Sequence, residues 1–70
     1  MLMSKMGEAT DRILESLNEF ENLTLKEVMK KVPLANKEVL DFMETSGLIE
    51  QKEGKARITE LGVELLKVEH

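Results

Sequence analysis

The chain contains no cysteine, no tryptophan and no tyrosine, and only one proline, two phenylalanines and one histidine among 70 residues. Without cysteine there are no disulfides, no thiol chemistry and no cysteine-based zinc site. Without tryptophan or tyrosine, stacking on single-stranded bases would rest on Phe20 and Phe42, and both are expected in the interior. The lone histidine is His70, at the chain end, so Ser4, Ser16 and Ser46 have no base partner. Glycines 7, 47, 54 and 62 lack the spacing of a phosphate-binding loop. No apolar run approaches the roughly 18 residues of a membrane span. The opening Met1-Leu2-Met3-Ser4-Lys5-Met6 is too short and too weakly apolar for a secretory signal. These absences lead us to expect a cytoplasmic chain that is not an enzyme and takes no cofactor and no metal.

What is present is the mixture of a folded domain: 41% hydrophobic and 34% charged residues. We expect one domain over residues 1–70, with residues 1–6 flexible and residues 68–70 the start of a purification tag. A chain of this size buries only about 60% of its unfolded surface, which leaves no room for both a core and a deep cleft. The net charge of −4 is unevenly spread. Glu8, Asp11, Glu15, Glu19 and Glu21 outweigh Arg12 near the start, and Glu60, Glu64 and Glu69 outweigh Lys67 near the end. Between them, Lys26, Lys30, Lys31, Lys37, Lys52, Lys55 and Arg57 slightly outnumber Glu27, Glu38, Asp41, Glu44, Glu50 and Glu53.

Apolar spacing predicts four helices and a hairpin. Ala9, Ile13, Leu14, Leu17 and Phe20 form one stripe of a helix from Gly7 to Phe20. Asp11, Glu15 and Glu19 stack along its other side as a solvated face. Asn22-Leu23 is a link with room for one short strand. Thr24-Leu25-Lys26-Glu27 fits a capping box at the start of a second helix. There Leu25, Val28, Met29 and Val32 point inward, and Pro33 ends the helix. A third helix runs from Ala35 to Ser46, with Ala35, Val39, Phe42, Met43 and Ser46 on its buried face. Gly47 suits a left-handed terminus, which folds Leu48 back onto Met43. A hairpin from Leu48 to Thr59 turns at Glu53-Gly54, pairing Lys52 with Lys55, Gln51 with Ala56, Glu50 with Arg57 and Ile49 with Ile58. Glutamate is disfavoured in the tight primed turn this implies, so a bulged three-residue turn is the alternative. Thr59 caps a last helix from Glu60 to Val68, with Leu61, Leu65 and Val68 on one side and Leu66 adjacent.

The segment from Leu34-Ala35 through Val39, Phe42 and Met43 to Gly47-Leu48-Ile49 resembles the recognition helix and first wing strand of winged helix-turn-helix proteins. Ile58-Thr59-Glu60-Leu61-Gly62-Val63-Glu64-Leu65-Leu66 is similar to the wing end and following helix of the MarR/PadR/ArsR-like branch. The resemblance covers nearly the whole chain. It implies a mainly α fold with a small β-hairpin: a three-helix core, a wing and a C-terminal helix. It also implies duplex DNA as partner, with the third helix in the major groove and the wing on the phosphate backbone. The third helix here is about one turn shorter than in the common DNA-reading members.

Major-groove reading needs hydrogen-bonding side chains, and backbone binding needs Lys and Arg. The candidate DNA-contacting residues are Lys26 and Lys30 of the second helix, Asn36, Lys37 and Asp41 of the third, and Lys52, Lys55 and Arg57 of the wing. Opposite the core stripe, the third helix is expected to present Lys37, Asp41 and Glu44, flanked by Glu38, Thr45 and Leu40. That surface is mostly acidic and unfavourable beside phosphates. A protein partner with a basic or apolar surface is therefore the rival reading. Two copies are expected to pair through the first and last helices.

Overall fold

The computed structural model describes residues 5–20 and 22–69, with Lys5, Met6 and Glu69 described by their backbone alone. It contains α1 (Lys5–Glu19), β1 (Leu23–Thr24), α2 (Leu25–Lys31), α3 (Lys37–Thr45), β2 (Ile49–Lys52), β3 (Lys55–Ile58) and α4 (Glu60–Glu69). The fold is mainly helical with a small antiparallel sheet of strand order β1-β3-β2. No described helix is long and apolar enough to cross a membrane. Of the start expected to be flexible, Lys5 and Met6 belong to α1 and residues 1–4 lie outside the described residues. Val68 and Glu69 continue α4, and His70 lies outside the described residues.

Local signals set most boundaries. At α2, Thr24 Oγ1 accepts from the Glu27 N–H at 3.1 Å while the Thr24 N–H donates to Glu27 Oε1 at 3.0 Å, so the capping box is closed. Val32, forced out of helical geometry by Pro33, is extended at φ −123° and ends the helix. Asn36 caps α3, its Oδ1 accepting from the Val39 N–H at 2.9 Å, so α3 starts at Lys37 and not at Ala35. At the far end Gly47 is left-handed, at φ 81°. The Leu48 N–H reaches the Met43 carbonyl at 2.9 Å and the Gly47 N–H that of Glu44 at 3.0 Å, the paired bonds of a Schellman terminus.

The hairpin register is the one expected, from Ile49 opposite Ile58 to Lys52 opposite Lys55. Its turn is the two-residue form: Glu53 and Gly54 both have positive φ, 53° and 75°. The bulged alternative is not adopted. β3 also pairs with β1, Leu23 opposite Ala56 and Thr24 opposite Lys55, so the hairpin is part of a three-stranded sheet.

One cluster of buried side chains joins the elements, with Ile13, Leu14, Val28, Leu40, Met43 and Ile49 at its centre. Each such side chain contributes about 1.5–3 kcal/mol on burial. Several orientations differ from those expected. On α3, Leu40 is buried (1% exposed) and Phe42 lies 48% exposed, while Ser46 faces solvent. The buried stripe is Val39, Leu40 and Met43, a rotation that brings Leu40 inward at the expense of Phe42. Met29 of α2 and Phe20 after α1 are also exposed; Phe20 instead carries the Lys31 ammonium 4.3 Å above its ring.

On α4, Leu61 and Val68 point outward, and Gly62 and Leu66 take the buried side. The cause is close packing at Gly62. A Cβ there would lie 2.5 Å from the Leu48 carbonyl oxygen, 2.7 Å from Ile58 Cγ1 and 3.1 Å from Leu14 Cδ2. Thr59 secures this junction. Its hydroxyl accepts from the Gly62 N–H at 3.1 Å and lies 2.6 Å from the Gly47 carbonyl oxygen, while its own N–H donates to Leu48.

Candidate functional site

The sheet has two chemically different faces. Because side chains alternate along a strand, Leu23, Ala56, Ile49 and Ile58 share the inner face. Thr24, Lys55 and Lys52 form a row on the outer face, and Glu50 and Arg57 form the next row. Lys52 and Lys55 are therefore directly opposite, with Cα atoms about 5.5 Å apart in this kind of pair. Like charges so placed destabilise a sheet. Both lysines and Arg57 are exposed. Arg12 pairs with Glu8 at 3.2 Å and Lys67 with Glu64 at 3.7 Å, and neither pair reaches this face.

The hairpin tip is bound to the start of α2. The Leu25 N–H donates to the Gly54 carbonyl at 2.9 Å. Lys26 follows immediately, in the first turn of α2, and Lys30 lies one turn further on the same side. Both are exposed. The structure thus brings Lys26, Lys52 and Lys55 to one end of the molecule, with Lys30 and Arg57 extending the basic surface along α2 and the hairpin. Lys30 and Lys31 also sit in the last turn of α2, where cations complement the helix dipole. The Glu27 carboxyl, within this basic surface, is held below its ordinary range. The Thr24 backbone N–H is the main cause, helped by the Thr24 side chain and by the positive charge of Lys31 and Lys30.

The remaining candidates are placed differently. Asn36 spends its side-chain oxygen on the α3 cap. Asp41 is turned toward β2, where its Oδ1 accepts from Gln51 Nε2 at 3.2 Å. Glu44 joins it: Oε1 accepts from the same amide at 3.3 Å, and Oε2 accepts from the Gln51 backbone N–H at 3.3 Å. Lys37 is exposed on α3, one turn before Asp41, and forms no ion pair with it. With the observed rotation at about 100° per residue, Lys37, Asp41 and Glu44 flank β2, and the outward residues are Glu38, Asp41 and Thr45, with Phe42 at their edge.

Gln51 was not among the expected functional residues. Its signal in the sequence is that an uncharged polar residue occupies an inward strand position, alternating with Ile49 and facing Ala56. A separate open depression lies between α1 and α4, lined by Glu15, Asn18, Glu19, Val63, Leu66 and Lys67, and contains none of the candidate residues. No protein-family model, no curated protein and no solved structure matches the chain.

Proposed function

We propose that this chain is a winged helix-turn-helix domain that binds duplex DNA through its hairpin, acting as the wing, and the second helix. The fold reading is supported by the element order α1-β1-α2-α3-β2-β3-α4, by the strand order β1-β3-β2, and by the short connection of residues 32–36 between α2 and α3. The function rests on one observation: Lys52 and Lys55 face each other on the outer sheet surface with no ion pair to either, next to the row in which Arg57 faces Glu50. A phosphate between them turns an unfavourable pair into a favourable one and releases condensed counterions. Lys26 and Lys30 extend the contact along the duplex. A regulator of transcription is the role this reading carries.

Anisotropy titration of a labelled 20-base-pair duplex at low salt tests it. The expected dissociation constant is about 1–100 μM, the range of backbone-driven binding. Lys52→Glu with Lys55→Glu weakens binding at least tenfold while circular dichroism stays unchanged. An unbound duplex at the highest protein concentration removes the proposal. Sedimentation of the same samples tests pairing of two copies, which we place on the exposed Leu61 and Val68 of α4. A monomer at every concentration removes that part.

A second reading, a protein-interaction module, is favoured by Phe42, 48% exposed beside the carboxylates of Glu38 and Asp41. Its partner surface is basic or apolar. It predicts a silent DNA titration and a complex isolated from cell extract that Phe42→Asp abolishes; an intact complex counts against it.

A further inference from the structure

We infer that the domain grips the duplex by its backbone alone, with α3 held off the base edges, so that binding is independent of base sequence. This rests on the reading that the hairpin and α2 meet duplex DNA, and it specifies the class of site they accept.

A helix reads the major groove when it offers free hydrogen-bonding side chains that phosphates on either side tolerate. α3 meets both conditions only at Lys37, in its first turn. Asn36 uses its oxygen in the cap, and Asp41 and Glu44 are bonded to Gln51 of β2. Of the outward residues, Glu38 and Asp41 are carboxylates, Thr45 is a short hydroxyl, and Phe42 can offer only apolar contact.

Charge makes the same point. Along α3, Lys37 stands against Glu38, Asp41 and Glu44, a net −2. The major groove is about 12 Å wide, so an inserted α3 would hold these carboxylates within about one Debye length, ~8 Å at physiological salt, of both phosphate strands. Apart from Lys37 in the first turn of α3, the exposed cations lie elsewhere: Lys52, Lys55 and Arg57 on the outer sheet face, Lys26 and Lys30 on α2. The surface that attracts a duplex is thus distinct from the helix surface that would read it.

The experiment is anisotropy titration of the whole chain with three labelled duplexes: mixed sequence, alternating A·T, and G·C-rich. The last matters because carboxylates can accept hydrogen bonds from cytosine. The expected dissociation constants agree within about threefold, well under the discrimination that even one good base contact provides. The log–log salt slope approaches about −4.5 if all five cations each engage one phosphate. Glu38→Gln with Asp41→Asn, which keeps the Asp41 acceptor for Gln51, leaves affinity within about threefold, because screening separates α3 from the phosphates. A preference of tenfold or more for one duplex overturns the inference. So does a tenfold tightening in the double variant, which would place α3 against the DNA. Failure of all three duplexes to bind removes the underlying DNA reading and this inference with it, whereas binding with a sequence preference removes only the inference.

Discussion

Glu53 occupies a backbone position that suits it poorly, and replacing it isolates that cost. With φ of 53° at Glu53 and 75° at Gly54, both central turn residues are left-handed, the geometry for which Asn-Gly is the preferred pair. A non-glycine residue in this region carries about 1–2 kcal/mol of steric strain, and asparagine relieves part of it by local hydrogen bonding. Against the gain stands the loss of an exposed carboxylate between Lys52 and Lys55, worth a few tenths of a kcal/mol. The net expectation for Glu53→Asn is a stabilisation of about 0.5–1 kcal/mol. For a chain of this length that raises the melting temperature by about 3–7 °C. Thermal unfolding followed by circular dichroism measures it. The control is Gly54→Ala. A Cβ at Gly54 meets nothing within 4 Å, so its expected loss of about 1 kcal/mol reports backbone conformation and not crowding. A Glu53→Asn melt at or below that of the unaltered chain refutes the argument. So does a Gly54→Ala variant of unchanged stability, which would show that the turn tolerates side chains.

Two further outcomes follow from the packing and the caps. Gly62→Ala places a methyl 2.5 Å from the Leu48 carbonyl oxygen and costs about 2–3 kcal/mol in chemical denaturation, whereas an ordinary helix interior gains from that change; stability at or above the starting value sinks the close-packing account. The Glu27 carboxyl titrates below its ordinary value in the folded chain, so its contribution is present at neutral pH and is lost as the pH falls through the folded-state value. The melting-temperature gap between the unaltered chain and Glu27→Gln therefore narrows as the solution is acidified below the ordinary carboxylate value; a constant gap between neutral and strongly acid solution contradicts the capping role.

The signals readable from sequence were those that depend on near neighbours. The capping box at Thr24 and Glu27, the Schellman terminus at Gly47 and the register of Ile49 against Ile58 all follow from residues a few positions apart. Rotation of the short helices was not readable. On α3, Val39-Leu40 and Phe42-Met43 are two adjacent apolar pairs, and Val39 with Met43 can be completed by either remaining residue. Only packing across the fold selects Leu40. On α4, Leu65 packs against the core as periodicity expects, but Leu61 and Val68 do not, because periodicity assigns no weight to glycine and Gly62 marks the closest approach of backbone. A glycine inside a helix costs about 1 kcal/mol against alanine, and that cost was the available clue. Of the candidate site, the cations on the hairpin and α2 were legible as exposed charge. The engagement of Asp41 and Glu44 with Gln51 was not, because it joins two elements whose relative placement the sequence does not state.

The bond from the Gln51 amide to Glu44 also bears on how the molecule behaves in crowded solution. β2 is the outer strand on its side of the sheet, and an unpaired outer strand can template the addition of another chain. Here a carboxylate from the neighbouring helix occupies a main-chain donor that an incoming strand would need. The helix thus occupies one donor of the open edge, and a strand adding on this side has to displace that bond.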